Sequence, residues 1–207
     1  MIAIVDYGVG NLFSLKSSFL AIGETACVTA DPSVIAKAER IILPGVGAFG
    51  DAAKKLSDSG LGKVVCQQAK EGKPIMGICL GMQLLFERGF EYGEHEGLGL
   101  IKGEVVPISD VIGPELKIPH IGWNALHFGY KRHEIFKYLN EGDHVYFVHS
   151  FYASKCEESV IATAEYGAEL TAAVAYENVC GCQFHPEKSG KVGLSILKAF
   201  SEMGGKS

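Results

Sequence analysis

The stretch Lys73-Pro74-Ile75-Met76-Gly77-Ile78-Cys79-Leu80-Gly81-Met82-Gln83-Leu84-Leu85-Phe86 decides the fold. Lys73-Pro74 introduces Ile75 to Ile78, an apolar run of strand length, and helical spacing resumes from Cys79 to Glu87 through Met82, Leu85 and Phe86. An apolar strand passing straight into a helix marks a parallel sheet buried on both faces. Between the two lies Gly77-Ile78-Cys79-Leu80-Gly81, the Gly-x-nucleophile-x-Gly turn with cysteine in the place of serine. Such a turn is sharp and its central backbone strained, so bulky neighbours would clash. It lifts Cys79 out at the C-terminal edge of the sheet, at a helix N-terminus whose free N–H groups, beginning with Leu80, are able to cradle an oxyanion. A cysteine merely packed between strand and helix is the plainer alternative.

Upstream the same alternation repeats. Ile2 to Val5 and Thr25 to Thr29 read as strands, Leu12 to Ile22 as a helix stopped by Gly23, and Asp31-Pro32 as the opening of a short helix. Ile41 to Leu43 is the next strand, closed by Pro44-Gly45-Val46-Gly47 and followed by helical stretches around 50–59 and 61–71. These are parallel βαβ units. Downstream, 101–108, 121–128, 144–149, 159–166, 170–176 and 179–184 look like strands, and only 133–140 and 190–203 look helical. The expectation is an α/β sheet with mixed or antiparallel strands added in the second half. No linker, repeat or low-complexity tract interrupts the 207 residues, so residues 1–207 are read as one domain.

Composition removes several function classes. The formal net charge is −5, and the short Lys131-Arg132-His133 cluster is too small for a nucleic-acid footprint. No run of 18 apolar residues predicts a membrane span, and the N-terminal Met1-Ile2-Ala3-Ile4-Val5-Asp6 lacks the basic start of a signal peptide. A cytoplasmic protein with reduced thiols is expected, despite six cysteines at 27, 66, 79, 156, 180 and 182.

A thiolate nucleophile needs a base, and the base needs an orienting group. Gln183-Phe184-His185-Pro186-Glu187 supplies both at the end of the last apolar strand. Pro186 biases His185 toward extended backbone, where residues two apart share a face, so His185 and Glu187 project together. Glu187 is then able to accept from one ring nitrogen while the other faces Cys79. Cys180-Gly181-Cys182 with His185 suggests metal ligands at first sight. In a regular strand, however, the two cysteines face one side and the histidine the other, and no second ligand pair is nearby. No metal or cofactor is expected. Asp6-Tyr7-Gly8-Val9-Gly10-Asn11 lacks the third glycine of a dinucleotide fingerprint, since Phe13 stands there. Pro44-Gly45-Val46-Gly47 lacks the lysine of a phosphate loop and fits a flexible segment donating an N–H into the site. Gln83, one helical turn after Cys79, either meets a substrate or faces solvent. Trp123, the only tryptophan, is either core or a contact anchor.

Together, Gly77-Ile78-Cys79-Leu80-Gly81-Met82-Gln83 and His185-Pro186-Glu187 resemble the triad class of glutamine amidotransferases. That resemblance implies a flavodoxin-like α/β fold and hydrolysis of glutamine to glutamate and ammonia. Four further stretches, Asp6 to Asn11, Pro44 to Phe49, Pro119-His120-Ile121-Gly122-Trp123-Asn124 and His185 to Ser189, are similar to the glutaminase-subunit family of imidazole glycerol phosphate synthase. The similarity runs from residue 2 to about residue 200. It implies Cys79 as nucleophile, His185 as base and acid, and Glu187 as orienter. The Leu80 N–H and a Val46 or Gly47 N–H would form the oxyanion hole. Gln83 with His149-Ser150-Phe151 would hold L-glutamine. It also implies a (βα)8-barrel cyclase partner in histidine biosynthesis that receives ammonia, with Asn11, His120, Trp123, Tyr146 and Lys188 at or near the interface. Phe151 stands where that family more usually has Tyr, and Gly190 follows Lys188-Ser189. The pyridoxal phosphate and anthranilate branches of the same class, and a catalytically silent binding module on the same fold, are the rival readings. The two glycines flanking Val46 further suggest a peptide that rotates into the oxyanion hole only when a partner is bound.

Overall fold

Alternation along four-residue strands puts the sheet between two cores. In β1 (Ile2–Val5), Ile2 and Ile4 enter one core and Ala3 and Val5 the other. The computed structural model describes residues 1–204. After β1 come α1 (Leu12–Ala21), β2 (Ala26–Thr29), α2 (Pro32–Lys37), β3 (Arg40–Leu43), α3 (Phe49–Asp58), α4 (Leu61–Lys70), β4 (Ile75–Ile78) and α5 (Leu80–Gln83). The second half adds β5 (Arg88–Gly89), β6 (His95–Glu96), β7 (Glu104–Pro107), β8 (His120–Ala125), β9 (His127–Phe128), β10 (His144–His149), β11 (Phe151–Ser154), β12 (Val160–Glu165), β13 (Glu169–Tyr176) and β14 (Val179–Cys182). The twelve-residue α6 (Gly190–Ser201) follows.

The main sheet has eight strands in the order β2-β1-β3-β4-β14-β13-β12-β9. Its first five strands are parallel, and the remaining pairings are antiparallel. The parallel part has the flavodoxin-like order, which places ligands in the crevice beyond the carboxyl ends of the strands. A two-stranded sheet (β10-β8) and a four-stranded one (β11-β7-β5-β6) pack beside it.

Several sequence expectations are corrected here. The helix expected from 79 to 87 stops at Gln83. The returning segment takes its carbonyls: Leu98 N–H donates to Leu84 O, Leu100 and Ile101 to Leu85 O, Gly99 to Phe86 O and Gly97 to Glu87 O. The helix expected at 133–140 is a 3-10 turn over Glu134–Phe136, which pins buried Ile135 and Phe136 into the core. The strand expected at 121–128 divides at buried Leu126, and His127–Phe128 crosses to the main sheet. The strand expected at 101–108 begins only at Glu104, after Gly103 at φ +125°. The last strand ends at Cys182, where Gln183 N–H still reaches Ala172 O but His185 N–H turns to Tyr146 O.

Beneath the β4–α5 turn the backbones interlock. A Cβ on Gly81 would overlap the Leu43 carbonyl oxygen, and one on Gly77 would lie 2.6 Å from both Gly81 O and Met82 Cα. Gly81→Ala is therefore expected to lower the urea midpoint by the equivalent of about 2 kcal/mol or more, the usual cost of forced overpacking. An unchanged midpoint would show that this turn yields freely.

Candidate active site

Cys79 caps α5 with φ +54° and ψ −115°, a conformation L residues rarely adopt. Three hydrogen bonds hold it. Its N–H donates to Cys182 O at 2.8 Å, and its carbonyl accepts from Met82 N at 3.0 Å and Gln83 N at 3.2 Å. Leu80 is the first helical residue, in the turn whose N–H groups have no intrahelical acceptor.

His185 lies just beyond β14, with its N–H on Tyr146 O at 2.9 Å and its carbonyl accepting from Ser189 Oγ at 2.6 Å. Its Nδ1 is 2.8 Å from Glu187 Oε1, and both side chains are almost fully buried. Burial alone would push the ring down. Hydrogen bonds to Cys79 and Glu187, with their negative charge, outweigh it and raise His185 to about 9. The structure thus brings Cys79, His185 and Glu187 together from two separate crossovers.

These groups open onto a cavity of about 320 Å³ lined by Val46, Gly47, Leu80, Gln83, His149 and Phe151, among others. Ser150 and Lys188 line it as well, the latter from a position expected only at the interface. Gln83 is buried, which settles its alternatives against a solvent-facing role. Its Nε2 donates to Phe151 O at 3.1 Å and to Gln183 Oε1 at 2.8 Å. Phe151 O also accepts from His149 Nδ1 at 2.8 Å. Burial, with the nearby His120 and His185, pushes His149 down to about 4 against the pull of that carbonyl.

The segment 44–47 brings Val46 and Gly47 into the cavity wall. Buried Pro44 O accepts from Tyr7 OH at 2.6 Å, and burial first, then Cys79, pushes the Tyr7 phenol up. Its two glycines differ in purpose. A Cβ on Gly45 would sit 2.5 Å from Gly81 N, so this glycine serves close approach. Gly47 has φ +94° and open space around it, so the freedom to rotate lies there. Gly8-Val9-Gly10 is a tight turn, with Gly10 packed on Pro44.

Of the expected interface residues, Trp123 is 52% exposed and makes an edge contact with Tyr146, whose ring lies under Lys188 Nζ. Asn11 is exposed, and its Oδ1 caps α1 through Ser14 N at 3.4 Å. His120 is a correction: it is 1% exposed, stacked between Tyr166 and Phe147 and bonded to His149 Nε2 at 3.0 Å. It offers no surface and braces the strand from behind. Cys180 and Cys182 are free thiols buried in the core that contains Cys79.

The family model for class-I glutamine amidotransferases matches residues 3–202. Imidazole glycerol phosphate synthase subunit HisH of Wolinella succinogenes is 48% identical over 206 residues, covering 99% of this chain and 100% of that one. The HisH subunit of Lactococcus lactis is 48% identical over 202 residues, covering 97% and 98%. The chain belongs to the class-I glutamine amidotransferases, in the HisH family. Solved structures show the fold alone. A crystal structure of a glutamine amidotransferase superposes with TM-score 0.74 at 19% identity, covering 97% and 100%. PurLQS from Thermotoga maritima gives 0.74 at 22%, covering 97% and 96%.

In this amidotransferase four residues at the site escaped the sequence reading. Fully buried Gln183 places Nε2 3.8 Å from Cys79 Sγ. Glu91 lines the cavity, Tyr7 holds Pro44, and Ser189 holds His185. Gln183 carried a signal in its place two residues before His185, and Tyr7 and Ser189 lay inside stretches that carried the family resemblance, whereas Glu91 carried none. The charged His185 ring of the amidotransferase sets an expected outcome. Interactions that favour imidazolium stabilise the fold fully below the ordinary value of 6.5 and are lost as pH rises through about 9. NMR titration should find the ring changing charge near 9, and Glu187→Gln should move that midpoint down by at least one pH unit. A wild-type midpoint near 6.5 would refute the ion pair.

Proposed function

We propose that this chain is a single glutaminase domain that hydrolyses L-glutamine to glutamate and ammonia for a synthase partner. One observation carries the reading: a strained cysteine is hydrogen-bonded to a buried histidine–carboxylate pair in the wall of a cavity sized for an amino acid. Cys79 attacks the side-chain amide carbon, forming a C–S bond. The oxyanion is held by the Leu80 N–H and a Val46 or Gly47 N–H. His185, oriented by Glu187, gives its proton to the departing nitrogen as the C–N bond breaks. Water then attacks the thioester, His185 accepts its proton, and the C–S bond breaks to release glutamate. The sum is glutamine plus water giving glutamate plus ammonia, with no redox step and no cofactor.

Gln83 and the His149-Ser150-Phe151 segment hold the substrate backbone. Among the described residues Glu91 is the carboxylate that lines the cavity, with Oε2 accepting from Phe49 N at 2.7 Å. Its second oxygen suits the α-ammonium group. The relatives' names favour the imidazole glycerol phosphate synthase branch over the pyridoxal phosphate and anthranilate branches. The intact triad disfavours a silent module.

The partner in this reading is the (βα)8-barrel cyclase subunit of that synthase, in a cytoplasmic heterodimer of histidine biosynthesis. Ammonia would pass through the barrel without reaching solvent. The docking surface is the outer face of β8 and β10, where Ile121 is 58% exposed and Trp123 stands opposite Tyr146. That face reaches the cavity through Val148, the cross-strand partner of Ile121.

Two outcomes are expected. A diazoketone analogue of glutamine should label the wild-type chain and Cys182→Ala but not Cys79→Ala, which should also lose ammonia release. Label on Cys79→Ala would overturn the assignment. Trp123→Ala should weaken binding of the cyclase by about 2 kcal/mol, roughly 30-fold in Kd, as for an aromatic anchor. Titration calorimetry that shows equal affinity would place the interface elsewhere.

A further inference from the structure

The hairpin of β5 and β6 lies over the start of α3, with Glu91 in its turn. Phe49, the first residue of α3, donates its N–H to Glu91 Oε2 at 2.7 Å. The N-cap residue itself, Ala48, makes no side-chain cap bond, so the acceptor for this helix start arrives from 42 residues downstream. Two close approaches seat the hairpin. A Cβ on Gly89 would lie 2.6 Å from the Phe49 ring, and one on Gly50 would lie 2.6 Å from the His95 ring. The segment 44–48 is therefore anchored at both ends, by Tyr7 at Pro44 O and by Glu91 at Phe49 N. Exposed Val46 and Gly47 stand between the anchors, in the same cavity wall as Glu91.

We propose that Glu91 is a positioning residue that couples glutamine occupancy to the oxyanion loop. The inference rests on the glutaminase reading above. The two oxygens of a carboxylate move as one rigid group. When the substrate ammonium draws the free oxygen, Oε2 moves with it and takes along the Phe49 N–H, two residues beyond Gly47. The charge on Glu91 also favours the N-terminus of the ten-residue α3, so the cap strengthens with charge and with order in the turn. Substrate thus fixes the far end of the segment whose Val46–Gly47 peptide faces the developing oxyanion. A substrate lacking the ammonium group would fill the acyl site without setting the loop.

Steady-state ammonia release by the full chain separates the roles. Glu91→Gln keeps an oxygen for Phe49 N–H but loses the charge on which the ammonium group draws, so KM should rise at least about tenfold and kcat should fall at least about threefold. Glu91→Ala loses both and should lower kcat at least about tenfold in addition. A wild-type kcat in Glu91→Gln would overturn the coupling while leaving the glutaminase reading intact. A wild-type chain that neither hydrolyses glutamine nor takes the diazoketone would instead sink that reading. Should Glu91→Ala fail to fold, amide exchange in Cys79→Ala decides. Glutamine should slow exchange across 45–49 at least about threefold with Glu91 present and not in the Cys79→Ala/Glu91→Gln double variant. Equal slowing in both, or slowing in neither, overturns the coupling.

Discussion

A single hydrogen bond, from Cys79 N–H to Cys182 O at 2.8 Å, ties Cys79 to the strand that ends just before His185. Cys79 sits at positive φ, at a cost of about 1–3 kcal/mol that only surrounding structure can sustain. The support is local crowding: Gly45, Gly77 and Gly81 bring three backbone segments closer than any side chain would permit. Because β4 and β14 are paired in parallel register, Ile78 with Cys182, the residues emerging from both strands appear at the same edge. Sulfur and imidazole meet there without a long loop to order.

Electrostatics then separates two buried histidines that share one cavity. His149 has a backbone carbonyl on one nitrogen and a second histidine on the other, so burial wins and it stays neutral. His185 has a carboxylate and a thiol as neighbours, and the same burial loses to them. Positive charge is kept on the ring that hands over a proton in the proposed mechanism. Neutral His149 is left to organise Phe151 O, which it shares with Gln83.

What the sequence revealed followed the range of the interactions. The strand, turn and helix around Cys79, and the pairing of His185 with Glu187, depend on residues within a few positions and were legible. So was the parallel first half, because β1 and β4 are apolar throughout and β3 is apolar after Arg40. Helix ends were not. Residues 84–87 keep helical spacing, yet their carbonyls are taken by 97–101 across a turn that no local pattern announces. The same limit hid Tyr7 and Glu91, whose partners lie 37 and 42 residues away. His120 misled for a related reason: it sits in a stretch shared with exposed Ile121 and Trp123, but strand alternation sends it inward.

That alternation also explains how an outer surface reaches the chemistry. In the β8–β10 pair, Ile121, Trp123, Tyr146 and Val148 share one face, and His120, Phe147 and His149 share the other. The backbone between carries Tyr146 O, which accepts from His185 N–H, and Tyr146 N–H, which is held by Ser189 Oγ. A two-stranded sheet has no further strands to stiffen it. Any displacement of its exposed face is therefore shared with His185 through Tyr146 and with the cavity wall through His149 and Phe151. In the function proposed above, docking and catalysis would use two faces of this one short ribbon.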